Sequence, residues 1–144
     1  MIAIDTNVLL RYLLQDDEEQ GRKAERIISG TDRVLVTDVV LVETIWTLKG
    51  KRYQLTKEQL LDVIYALFSE RNIIFEDGLA VWAALKDFAN AMPIKSGGKI
   101  NQADFPDALI VNKSKRYGKA NKVDVSTIYT FDKAALVIDG TKEP

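Results

Sequence analysis

The sequence predicts an α/β fold with a mostly parallel central sheet and helices on both faces. Three observations point there. Short runs of aliphatic residues alternate with longer stretches of helical periodicity. Residues suited to capping a helix stand where one pattern gives way to the next, as in Asp5-Thr6-Asn7, Thr37-Asp38 and Thr56-Lys57-Glu58-Gln59. No repeat, linker or low-complexity stretch interrupts the alternation, so residues 1–144 read as a single domain. A chain of about 150 residues buries roughly 68–70% of its unfolded surface, enough to fold without a disulfide or metal staple.

The elements follow in order. Met1 to Ile4 is a short apolar strand stopped by Asp5-Thr6-Asn7, after which Val8, Leu9, Tyr12 and Leu13 recur at helical spacing. Gln20 to Ile28 continues helical until Ser29-Gly30-Thr31-Asp32 breaks it, and Arg33 to Val36 reads as a second strand. Thr37 or Asp38 caps a helix from Val39 to Lys49 that ends at Gly50. The Thr56-to-Gln59 capping box opens a helix to about Ser69, and Asn72 to Phe75 is a third strand. Asp77 begins a helix that ends near Ala91, before Pro93. Residues 94–103 lack periodicity, carry a glycine pair and read as a mobile loop long enough to suggest function. Asp104-Phe105-Pro106-Asp107 starts a helix through Tyr117, stopped by Gly118. Asp124 to Thr130 makes a fourth strand, followed by Phe131-Asp132, and Leu136 to Ile138 adds an edge strand.

Composition narrows the chemistry. The chain has no histidine and no cysteine, which removes the commonest general base, the usual zinc ligands and every Ser-His or Cys-His nucleophile system. The lack of cysteine also favours a reducing, cytoplasmic setting. No apolar run reaches the length of about 18 residues that a spanning helix needs, and Asp5 interrupts any signal-peptide core, so neither export nor membrane insertion is expected. The net charge of −1 is unevenly spread: Lys113, Lys115, Arg116, Lys119 and Lys122 crowd one segment. That run is either a solvated helix end or a phosphate-contacting surface.

Four acids stand out by position: Asp5 after the first strand, Glu43 in the third helix, Asp107 in the first turn of the late helix, and Asp132 after the last central strand. Ligands of open parallel sheets bind outside the carboxyl ends of the strands, where Asp5 and Asp132 are expected. Capping is the plain alternative for Asp5, for Asp132 and for the pair Asp104 and Asp107. Glu43 is different. Val39, Val42 and Trp46 share its face, and Leu41, Ile45 and Leu48 occupy the others, so the helix looks buried nearly all round. An ionised carboxylate there needs a salt-bridge partner or a metal. Carboxylates brought together repel, and a divalent cation relieves that repulsion; all-oxygen ligands select Mg2+ or Mn2+ over zinc. Such an ion polarises a phosphodiester, acidifies its water and stabilises the leaving oxygen.

The segments Ile4-Asp5-Thr6-Asn7-Val8-Leu9-Leu10-Arg11-Tyr12, Glu43 in an apolar helix, Asp107-Ala108-Leu109-Ile110 and Thr130-Phe131-Asp132 resemble the PIN domain, most closely the toxin nucleases of VapBC toxin–antitoxin pairs. The resemblance covers nearly the whole chain. It implies a PIN-like three-layer α/β/α fold and a metal-dependent endoribonuclease cutting single-stranded or structured RNA by water attack on the phosphodiester. It implies that Asp5, Glu43, Asp107 and Asp132 are catalytic and bind Mg2+ or Mn2+, and that Asp104 supports them. A homodimer and a small antitoxin partner are implied as well. Thr6, Asn7 and Thr130 are expected to orient the carboxylates by hydrogen bonds. Lys113, Lys115 and Arg116, with Lys95 and Lys99, are expected to hold the RNA strand. Residues 94–103 are longer and more basic than the resemblance leads one to expect.

Two rivals compete with this reading. An aspartyl-nucleophile phosphotransferase usually has a second acid two residues after the first, where this chain has Asn7. A non-catalytic PIN-like module that binds RNA or protein is the alternative of another class.

Overall fold

The computed structural model describes residues 1–144. They divide into two compact units, Met1–Gly78 and Leu79–Pro144.

The first unit runs β1 (Ile2–Ala3), α1 (Thr6–Leu14), α2 (Glu18–Ile28), β2 (Val34–Val36), α3 (Asp38–Lys49), α4 (Lys57–Ser69) and β3 (Ile73–Phe75). The three strands form one parallel sheet in the order β1-β2-β3, with Ile2 opposite Val34 and Val34 opposite Ile73. Two helices fill each connection, which supplies the long crossover that parallel neighbours require. The sequence expectation of strand, cap, helix therefore holds here; β1 is shorter than expected at both ends, and β2 and β3 each begin one residue later. Leu9, Val34, Leu41, Ile45 and Ile64 are fully buried and form the unit's core. The helices start where the caps are: Asp5, Asp17, Thr37 and Thr56 each accept a backbone N–H with their side chain, and Thr56 and Gln59 complete the capping box.

The second unit contains α5 (Gly78–Asn90, which begins at the boundary), β4 (Ile94–Ser96), β5 (Lys99–Asn101), α6 (Phe105–Asn121), β6 (Ile128–Tyr129), a short 3-10 helix (Ala135–Val137) and β7 (Thr141–Lys142). Four expectations are corrected here. Residues 94–103 are not an unstructured loop: β4 and β5 pair antiparallel, with Ser96 opposite Lys99, around Gly97 and Gly98 at φ +60° and +74°. Two residues with positive φ between paired strands are what a tight hairpin demands, and a Gly pair provides them. Gly118 does not stop α6, which continues to Asn121 and ends at Lys122 in the left-handed region, φ 56°. Gly118 is small because a Cβ there would lie 2.6 Å from the Val123 carbonyl and 2.8 Å from Val125 Cγ2. The segment after it doubles back against the helix. Finally, 124–130 contributes only Ile128–Tyr129 as strand, and that strand pairs with β7, not with the sheet of the first unit. Leu136 to Ile138 is not an edge strand either: Ala135 to Val137 is 3-10 helix and Ile138 caps it. No helix is long and apolar enough to cross a membrane.

Candidate active site

In the first unit the backbone leaves β1 through buried Ile4 and exposes Asp5, whose Oδ1 accepts the Val8 N–H at 2.9 Å and caps α1. The capping alternative is thus realised, and capping occupies only one carboxylate oxygen. The next residue, Thr6, donates its hydroxyl to Glu43 Oε2 at 2.5 Å, tying the start of α1 to the middle of α3. Thr6 thereby ties one oxygen of the Glu43 carboxylate.

Glu43 itself is not where the sequence put it. The buried stripe of α3 is Leu41, Thr44, Ile45 and Leu48, at spacing i, i+3, i+4, i+7. Glu43 lies on the other side with Val39 and Trp46, which are 67% and 58% exposed. The expectation of all-round burial fails because the helix's apolar residues outnumber the positions its buried face can cover. The cost of burying a bare carboxylate does not arise, and Glu43 presents its charge to solvent with one hydroxyl donor.

Glu43, Thr6 and Asn7 line a cleft of about 510 Å3 within this unit. Its other walls come from α1, α3 and the turn after α3, including Arg11, Trp46, Arg52 and Tyr53. Those four were not singled out from the sequence, although the cluster Lys49-Gly50-Lys51-Arg52-Tyr53 is a visible signal of cations beside an aromatic ring.

In the second unit the acids stand in a tighter environment. Asp104 and Asp107 form a reciprocal capping box at the start of α6. Asp104 Oδ1 accepts the Asp107 N–H at 3.1 Å, and Asp107 Oδ2 accepts the Asp104 N–H at 2.9 Å. Capping explains this geometry, as the sequence allowed. It does not explain the electrostatics. Burial, and then the negative charges of Asp104 and Asp132, push the Asp107 carboxyl up from 3.8 to about 6, against a backbone hydrogen bond that pulls it down. Asp107 and Asp132, distant in sequence, are near enough for the charge of one to be felt by the other. Asp132 is shaped locally: its N–H donates to Thr130 Oγ1 at 3.0 Å, and its Oδ1 accepts the Ala134 N–H at 2.8 Å. Thr130 acts through the backbone of Asp132, a different route from the side-chain contact of Thr6 to Glu43.

The three cations Lys113, Lys115 and Arg116 all lie on α6 and are half-buried. Lys115 has a structural task. Its ammonium donates to the Asp139 carbonyl at 2.7 Å, with the Asp139 carboxylate at 3.4 Å, and so ties α6 to the segment that follows Asp132. Lys95 and Lys99 are exposed on the hairpin.

Whether these residues suit a metal can be judged from their donors. Every candidate ligand is a carboxylate, with hydroxyls behind them and no imidazole or thiolate in the chain, the set that hard cations take. Asp107 carries electrostatic strain that a cation would relieve. The residues fit Mg2+ or Mn2+. No group of three or more acidic side chains stands at ligand spacing.

No curated protein matches the chain significantly. Among protein families, residues 2–140 match the PIN domain, a family whose members are generally nucleases with typically divalent metal ions and a three-layer α/β/α fold. Matched over nearly its whole length, the chain belongs to the PIN domain family.

Proposed function

We propose that the protein is an endoribonuclease dependent on Mg2+ or Mn2+, with Asp5, Glu43, Asp107 and Asp132 as its ligands and Asp104 as a supporting acid. The observation that carries this reading is the Asp107 carboxyl, raised to about 6 by burial and by two neighbouring acids. A folded protein keeps a carboxyl that is desolvated and set beside other acids at a cost, and groups of this kind concentrate at functional sites.

When bound, the cation supplies Lewis-acid polarisation of the phosphodiester and acidification of a water molecule. The chain's own residues do the rest. Thr6 holds the Glu43 carboxylate in one orientation through a 2.5 Å hydrogen bond. The Thr130 hydroxyl and the Ala134 N–H fix the bend that presents Asp132. Asp107 holds a proton on its carboxyl in part of the population near pH 6 and gives it up as positive charge arrives. Lys113 and Arg116, with Lys95 and Lys99 on the hairpin, hold the RNA backbone. The test is cleavage of a labelled single-stranded RNA with Mg2+ or Mn2+ and its absence in chelator. Cutting by rigorously purified protein in chelator would overturn the metal dependence.

The finer assignment is the toxin of a toxin–antitoxin pair, acting in the cytoplasm as a homodimer and held inactive by a small antitoxin. It is supported by the run Ile4-Asp5-Thr6-Asn7 with its later acids in order. A small upstream reading frame with a DNA-binding N-terminus would favour it; its absence would favour a stand-alone nuclease. The alternative is a non-catalytic RNA- or protein-binding module of the same family. The same turnover assay separates the two.

A further inference from the structure

The cleft beside Glu43 has features that the carboxylate chemistry leaves unused. Leu10 and Leu14 of α1 give it an apolar side, Trp46 of α3 stands at another, and Arg52 and Tyr53 belong to the turn that follows α3. Its 510 Å3 lies within the roughly 300–1,000 Å3 typical of small-ligand pockets. An exposed tryptophan by itself means little, because single apolar residues are common on surfaces. Its company is the argument. The Arg52 guanidinium lies 5.2 Å from the centre of the Tyr53 ring, a cation–π pair. Tyr53 is held by its N–H to the Gly50 carbonyl at 3.2 Å and by its hydroxyl to Asp16 at 3.4 Å. Arg11 is fixed by the same Asp16 and by Gln20, each at 2.7 Å. Lys49, Lys51 and Arg52 put three cations into four consecutive residues where α3 ends. A stackable ring, an apolar side and clustered cations are the parts by which proteins hold single-stranded nucleic acid: bases stack on rings while the backbone meets the charges.

We infer that this cleft receives one unpaired nucleobase of a single-stranded RNA, stacked on Trp46, with the adjoining phosphate at Arg52. The inference rests on the nuclease reading for the identity of the polymer. Because Glu43 lines the same cleft, the captured base belongs to a nucleotide next to the bond to be cut. Trp46 and Arg52 are positioning residues that choose which phosphodiester is presented.

The test uses the full chain in chelator. It carries Trp82→Phe, which leaves Trp46 as the single tryptophan of the two in the sequence. Three probes are added: a short oligoadenylate, an abasic ribose-phosphate oligomer of the same length, and a polyglutamate peptide. The RNA should quench Trp46 emission saturably, and the other two should not. Trp46→Ala should weaken RNA binding, read by anisotropy, about tenfold or more, and Trp46→Phe should restore most of it. Arg52→Gln should flatten the salt dependence. Failure of RNA to bind, binding without change in Trp46 emission, or equal binding of the abasic oligomer or the peptide would overturn the inference. Where metal supports cleavage, Trp46→Ala should raise KM more than it lowers kcat. Cleavage with unchanged kcat/KM would refute the base pocket and leave the nuclease standing. Saturable quenching with no cleavage in any metal would refute the nuclease and leave the pocket standing.

Discussion

Asp5 and Glu43 in the first unit are exposed to solvent, and each is met by a neutral donor, the Val8 N–H in one case and the Thr6 hydroxyl in the other. Asp104 and Asp107 in the second unit are half-buried and share a capping box, and Asp107 feels the charge of Asp132. Water screens the first pair, so these charges cost the fold little. The second group is screened less, and its cost shows as an Asp107 carboxyl raised to about 6. The difference teaches that carboxylates with the same proposed task need not load the fold equally. A cation should relieve the second unit far more than the first.

The largest expected effect is on activity, and there the two groups should look alike. Glu43→Gln and Asp107→Asn should each lower RNA cleavage by at least about 100-fold, because each removes a proposed ligand. Stability in chelator should tell them apart. Glu43→Gln, an exposed site, should stay within about 0.5 kcal/mol of wild type. Asp107→Asn keeps a capping oxygen while losing the charge, so its melting temperature should be unchanged or higher. A Glu43→Gln protein destabilised by several kcal/mol would break the comparison, because that is the mark of a buried ion pair.

Adding Mg2+ sharpens the contrast. A ligand bound only by the folded state stabilises it by RT ln(1 + [L]/Kd), about 2.7 kcal/mol at a hundredfold excess over Kd. Thermal unfolding should show that gain in wild type and much less of it in Asp107→Asn. No shift up to millimolar Mg2+ or Mn2+ would reduce Asp5, Asp104 and Asp107 to their helix-capping roles.

The pH dependence is smaller and has a definite sign. Asp107 has a folded value near 6 and an ordinary value of 3.8, so the folded state holds its proton more tightly. Its contribution to stability is fully present below about 3.8 and is lost as the pH rises through about 6. At about 1.36 kcal/mol per pH unit the upper bound is about 3 kcal/mol, and partial exposure reduces it to roughly 1–2 kcal/mol. Denaturant unfolding in chelator between pH 3.5 and 7 should show a decline attributable to this residue, flattened in Asp107→Asn. A decline of the same size in both proteins would assign it to other groups.

Lys115→Met tests the smallest effect. Loss of its hydrogen bond to the Asp139 carbonyl should cost about 1 kcal/mol. Amide exchange should quicken between Asp132 and Ile138 and stay unchanged in the middle of α6. An unchanged Asp132 segment would free Lys115 for a role on RNA alone.

Much of the first unit was legible in the chain. Asp5, Thr37 and Thr56 cap the helices that their positions announced, and the strands between them pair in parallel as the alternation implied. These features depend on neighbours a few residues away, and local chemistry is what a sequence displays. Glu43 was misplaced because apolar periodicity was too dense to reveal which stripe of α3 is covered; only packing selects Leu41, Thr44, Ile45 and Leu48. The second unit was less legible. The glycine pair at Gly97 and Gly98 suits a loop and a hairpin equally in sequence, and Gly118 has the look of a helix stop yet serves close approach. A glycine marks a need for room or for positive φ without saying which.

The sequence by itself determined the order of acids, the absence of histidine and cysteine, and hence an all-oxygen donor set that suits a hard cation. Only the tertiary structure decided which acids are loaded with electrostatic strain, that Thr6 reaches Glu43 across 37 positions, and that a cleft with Trp46 and Arg52 opens beside it. Asp104 is visible three residues before Asp107, but desolvation and the charge of distant Asp132 depend on what the folded chain brings near the group.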